Sequence, residues 1–152
     1  MFKRFIRYSL LCGYFLLMMA VPVMGKTKYP VSDHDIELIA LVTMAEAEGE
    51  CERGKRLVID TILNRMDSGY FPNTAEGVIY QPAQFSSMWN GRVYECSVQD
   101  DICKLVREEI ENRTSYLVMF FSANDYSEFG VPLYKIQNHY FSSYDRKEIN
   151  NE

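Results

Sequence analysis

Glu46, Glu48 and Glu50 crowd into the run Ala45-Glu46-Ala47-Glu48-Gly49-Glu50, where an apolar-patterned segment has to stop being a helix. Ile36, Ile39, Ala40, Thr43 and Ala47 recur at helical spacing, and Ser32-x-x-Asp35 before them is a capping-box start. The spacing predicts a helix from Asp33 to Glu48, ended by Gly49, a residue type that tolerates a left-handed cap and lets backbone or ligand come close. Acids at that end oppose the helix macrodipole, at roughly 0.3–1 kcal/mol each. A sequence chosen only for stability would not put three glutamates there. One of them is expected to be a working acid.

The rest of the chain builds one domain around that point. A second helix is expected from Glu52 to Asp67, with Leu57, Val58, Thr61, Ile62 and Arg65 on one stripe and Gly69 as its stop. Gly69 to Gln84 carries Phe71-Pro72-Asn73-Thr74 and Gln81-Pro82, so it reads as loop with one short helix around Glu76–Tyr80. Ser97-x-x-Asp100 is a second capping box, and Ile102, Leu105, Val106 and Ile110 give a third helix ending near Asn112-Arg113. The apolar, aromatic run Tyr116 to Phe121 favours a buried strand, Asn124 to Gly130 a loop, and Lys135 to Ser142 a returning strand. Arg146 to Glu152 is a polar tail. Helices first and a small sheet later make an α+β fold, mainly α-helical, with a small C-terminal β element.

Residues 1–25 read differently. Lys3, Arg4 and Arg7 precede an uncharged run from Tyr8 to Met24, and Val23-Met24-Gly25 offers small residues for cleavage before Lys26. That is a signal-peptide layout, with an uncleaved anchor as the alternative; either way the domain at 26–152 is expected outside the cytoplasm. Losing three basic residues takes the net charge from −5 to −8. So acidic a surface argues against nucleic acid and gives no long-range pull on anionic wall polymers. Cys51, Cys96 and Cys103 form an odd set whose pairing the sequence leaves open. With only His34 and His139 and no HExxH or CxxC, no metal site is expected.

The acidic helix end can be tested against reaction classes. A metallohydrolase lacks its ligands. A Cys51–His139 nucleophile pair is disfavoured because Glu50 and Glu52 flank the thiol and suppress its thiolate. Glycoside cleavage fits better, since it needs a protonated carboxylic acid beside the leaving oxygen, favoured by nearby anions or burial. Glu46 has Glu48, Glu50 and a helix C-terminus for neighbours. Glu50 is an awkward second carboxylate, because i,i+4 side chains leave one helix face together, whereas a catalytic pair approaches the sugar from opposite faces. A one-acid mechanism follows, with solvated surface charge as the bland alternative. Tyr80, Gln84, Phe85, Ser86 and Trp89 could line a glycan groove, with aromatic faces against sugar faces and polar groups on their edges. Tyr80 and Phe85 could equally be core, and His139 a structural histidine. Arg65 could pair with Glu50 or Glu48, or simply cap its helix.

Ala45-Glu46-Ala47-Glu48-Gly49-Glu50, Gly54 and Ile62-Leu63-Asn64-Arg65 closely resemble the bacterial spore-cortex-lytic enzyme family of cell-wall hydrolases. The resemblance continues through Phe71-Pro72-Asn73-Thr74, Gly77-Val78-Ile79-Tyr80-Gln81-Pro82 and Gln84-Phe85-Ser86, and more weakly to His139-Tyr140-Phe141. It implies a lysozyme-like catalytic domain acting on peptidoglycan glycan strands by lytic transglycosylation, with Glu46 as acid and base; beside it, Glu50 is expected to tune or orient the acid at the substrate site, and no cofactor is expected. A hydrolytic muramidase, or a silent wall-binding module of the same fold, remains as the alternative. Spore cortex and vegetative wall are not separated by these motifs.

Overall fold

A computed structural model describes residues 27–144. The leader at 1–25 and the polar tail from Arg146 lie outside the described residues. Helix α1 (Asp33–Ala47) begins at the predicted capping box: Ser32 Oγ accepts from the Asp35 amide at 3.2 Å, and Asp35 Oδ2 accepts from the Ser32 amide at 2.9 Å. α1 buries Ile36, Ile39, Ala40, Val42, Met44 and Ala47, because α2 (Glu52–Ser68), α3 (Ala75–Ile79) and α4 (Asp100–Glu111) all pack against it. Ile59, Ile62, Leu63, Val78, Ile79, Phe85, Ile102 and Val106 complete this helical core.

α2 ends at Gly69, whose φ of 81° is the left-handed cap the sequence implied. Gly49 behaves otherwise: its φ is not positive, and a Cβ there would touch nothing within 4 Å. At the α1–α2 junction the close-approach glycine is Gly54, where a Cβ would stand 3.0 Å from Glu50 Cβ and 3.3 Å from Glu50 Oε2. The second expected capping box does not form. α4 starts at Asp100 after Gln99, which is extended and donates no side-chain cap, so Ser97 stays outside the helix.

Three strands, β1 (Phe120–Ser122), β2 (Gly130–Ile136) and β3 (His139–Tyr144), form an antiparallel sheet in the order β1-β3-β2. β1 is shorter than the apolar run suggested. Ser115 to Met119 is held instead by polar groups of α2: Asp60 Oδ2 accepts from the Ser115 amide at 2.7 Å, and Asn64 Nδ2 donates to the carbonyls of Ser115 (2.9 Å) and Val118 (2.7 Å). The single returning strand expected over Lys135–Ser142 is two strands, because it straddles a hairpin turn at Gln137 and Asn138. Pro132 hid β2; it is tolerated because β2 is an edge strand with a register shift between Pro132 and Tyr134. Phe141 faces down from the central strand onto Ala47, Leu57, Val58 and Val118, joining sheet to helices at the end of α1. Among the described residues Cys51, Cys96 and Cys103 are unpaired thiols.

Candidate active site

Glu46 stands in the last turn of α1, half-buried, and its Oε1 accepts a hydrogen bond from the backbone N–H of Ser87 at 3.0 Å. Ser87 belongs to a short 3-10 turn, Ser86–Met88, fixed in place by the preceding Phe85, whose ring is fully buried in the helical core. The donor is therefore held by packing rather than by a mobile side chain. It secures one carboxylate oxygen and leaves Oε2 without a hydrogen bond among the described residues.

The other two glutamates turn away from Glu46. Glu48 is exposed and pairs with Arg92, whose other guanidinium nitrogen holds Glu95 at 2.9 Å. Glu50 is only 7% exposed; its Oε1 accepts from Asn138 Nδ2 at 2.9 Å and lies 3.8 Å from His139 Nδ1. Glu50 Oε2 and His139 Nδ1 have no hydrogen-bond partner among the described residues. The hairpin turn also reaches Cys51, whose amide donates to Gln137 Oε1. The crowding of like charge that the sequence suggested around Glu46 is thus dispersed onto Arg92 and onto the β2–β3 turn. Arg65 pairs with neither glutamate. It donates to the Met119 carbonyl (2.8 Å) and Gln84 Oε1 (2.9 Å), and sits against the rings of Phe71, Phe85 and Phe120. Burial pulls its guanidinium down to about 10, which leaves it charged at neutral pH.

The expected groove residues divide. Tyr80 (47% exposed) and Trp89 (60% exposed) present their rings to solvent, and Ser86 is exposed beside Ser87. Gln84 is exposed as a residue, with its amide oxygen committed to Arg65. Phe85 packs in the core against Phe121 and offers no face to a ligand; Glu50 and His139 are likewise buried, His139 between the rings of Phe121 and Phe141. A cleft of about 480 Å³ opens beside Gln84, lined by Arg65, Gln84, Phe121, Asp125, Tyr126 and Glu128 among others. Ser87 and Arg92 escaped sequence reasoning because one acts through its backbone and the other meets Glu48 across 44 residues. The buried aromatic at Phe85 was the only local hint that the following turn is fixed.

The sequence matches the Cell Wall Hydrolase family over residues 49–142, which includes Glu50 and begins three residues after Glu46. The spore cortex-lytic enzyme of Bacillus subtilis (strain 168) is 40% identical over 63 residues, 41% of this chain and 21% of that protein. The Bacillus cereus spore cortex-lytic enzyme is 41% identical over 63 residues, again 41% of this chain and 24% of that protein. The chain thus spans about a fifth to a quarter of the length of these relatives. Among solved structures, the catalytic domain of the Bacillus cereus SleB protein superposes with a TM-score of 0.66 at 30% identity, covering 78% of this chain and 98% of that one. The catalytic domain of the germination-specific lytic transglycosylase SleB from Bacillus anthracis gives 0.63 at 28% identity, covering 76% and 100%. The mainly helical, lysozyme-like architecture is therefore shared along nearly the whole of those catalytic domains, and this chain belongs to the cell wall hydrolase family.

Proposed function

We propose that this protein cleaves the glycan backbone of peptidoglycan between N-acetylmuramic acid and N-acetylglucosamine as a lytic transglycosylase, with Glu46 as its one catalytic carboxyl. The observation that carries the reading is the Ser87 amide on Glu46 Oε1, which orients the carboxyl at a helix end flanked by solvent-facing Ser86 and Trp89. In the first step protonated Glu46 gives its proton to the glycosidic oxygen as the C1–O bond breaks. In the second the muramic C6 hydroxyl attacks C1 and returns its proton to Glu46, leaving a 1,6-anhydro end and the acid restored. One carboxyl suffices for both steps, and no cofactor or metal is called for. Glu50 faces the hairpin turn and is assigned a supporting role. Tyr80, Ser86 and Trp89 are the groove residues, with Gln84 at the boundary of the adjoining cleft.

The action is placed outside the cytoplasm, with residues 1–25 as leader and 26–152 as a catalytic domain working as a monomer, touching the membrane only if the leader is retained. Purified protein incubated with sacculi should release muropeptides with anhydromuramyl ends by mass spectrometry. Glu46→Gln should lower the rate by about 10²–10⁴-fold while leaving the fold intact by circular dichroism. Reducing ends would replace transglycosylation by hydrolysis, freed stem peptides would replace both by an amidase or peptidase, and full activity in Glu46→Gln would remove the assignment.

A further inference from the structure

The buried and half-buried arginines of this domain do not share one environment. Arg56 bonds Glu108 at 2.5 Å and Glu109 at 2.6 Å, and Arg113 bonds Asp67 at 2.6 Å. Arg65, 4% exposed, meets two neutral oxygens and three aromatic rings, and among the described residues it has no carboxylate partner. Taking a guanidinium out of water without a counter-ion is costly, and carbonyl and ring contacts offset only part of that cost.

Arg65 lines the 480 Å³ cleft, and so do Asp125 and Glu128, neither of which pairs with a cation among the described residues. Asp125 Oδ1 accepts only the neighbouring Tyr126 amide, at 2.7 Å. Aromatic surface from Phe120, Phe121, Tyr126 and Phe129 completes the wall. A neutral glycan needs none of these charges. A purely anionic polymer would be repelled by Asp125 and Glu128, and a purely cationic one by Arg65. A short chain carrying both a carboxylate and an ammonium group satisfies both ends, and the volume suits such a ligand. The cleft also connects to the acid along the chain. Gln84 lines it and lies three residues before Ser87, while the ring of Phe121, also in its wall, is 5.5 Å from that of His139.

We propose that this cleft seats the peptide stem of the peptidoglycan strand, Arg65 engaging a stem carboxylate and Asp125 with Glu128 its free amine, so that the domain prefers stem-bearing glycan. The inference rests on the glycan-cleaving reading for its biology, yet it is tested without catalysis. A synthetic N-acetyl-L-Ala–γ-D-Glu–diaminopimelate tripeptide, whose one free amine is that of diaminopimelate, should shift the amide NMR signals of residues 122–129 saturably when titrated into the protein. Acetylating the peptide amine, converting its carboxylates to amides, or the exposed pair Asp125→Asn with Glu128→Gln should each weaken binding about tenfold or more. On glycan strands, stripping the stems with an amidase should raise KM at least tenfold and leave kcat near its original value. The proposal is overturned if residues 122–129 do not shift, if the acetylated and amidated peptides bind as well as the parent, or if stripped and intact glycan are cleaved with equal KM. Should neither glycan be cleaved, the catalytic reading falls and the titration alone decides this one.

Discussion

Asp60 shows how one buried carboxyl can hold a backbone segment in place. It is fully buried on α2, accepts the Ser115 amide, and lies against Glu109. Burial, then repulsion from Glu109, push its carboxyl up to about 9. A folded value raised above the unfolded one near 3.8 means that its contribution to stability is full below about pH 4 and is lost as pH rises toward 9. Asp60→Asn imitates the protonated acid and keeps an oxygen for Ser115. Urea denaturation should therefore show the wild type losing stability steadily, by several kcal/mol, between pH 5 and pH 9 relative to Asp60→Asn. Equal pH slopes for the two proteins would refute this account of Asp60. Gly54 is the second residue whose identity the site dictates. Gly54→Ala gains helix propensity worth about 1 kcal/mol, but its Cβ meets Glu50 Oε2 at 3.3 Å. The melting temperature should hold or rise while activity on sacculi falls several-fold, and unchanged activity would show that Glu50 need not sit where it does.

Among the elements, the β2–β3 hairpin matters most to the site, because its turn reaches the α1–α2 junction through Gln137 and Asn138. Asn138→Ala would leave both oxygens of buried Glu50 without a neutral donor, a cost of about 1–3 kcal/mol. Thermal unfolding should register that loss, and hydrogen exchange should rise first at residues 48–52 rather than in α4. Uniform exchange across the domain would mean that the hairpin turn does not secure the junction. The hairpin is also the element the sequence concealed. α1 and α2 were legible to within a residue or two because Ser32, Asp35 and Gly69 are local signals written next to the helices they bound. β2 was not, since Pro132 argues against a strand unless the edge position is known, and that position is set by long-range pairing. Gln137 turns the chain at a φ of 45° without the Asn-Gly or Gly that normally announces such a turn. Glu46 could be singled out from its place at a helix end. The amide that orients it could not, because a backbone donor 41 residues away leaves no mark in side-chain identity.

At the scale of the whole molecule, helices and sheet meet where Phe141 covers Ala47, Leu57, Val58 and Val118, one residue from Glu46 along α1. The acid therefore sits on the seam between the two parts, with its orienting amide supplied by the helical side and Glu50 tied to the sheet. Onto this geometry the chain imposes a net charge of −5, or −8 for residues 26–152 alone. If the proposed substrate is right, a wall polymer rich in carboxylate or phosphate is repelled at long range, and the attraction has to come from contacts inside the proposed groove and cleft. Screening removes the repulsion but leaves short contacts largely intact, since the Debye length shortens from about 30 Å at 0.01 M to about 8 Å at 0.15 M. Raising salt across that interval should lower KM on anionic sacculi several-fold with little change in kcat, whereas a neutral glycan fragment should show a flat response. The opposite trend, KM rising with salt on both substrates, would mean that a local positive feature governs encounter, and Arg65 in its cleft would then be the place to look for it.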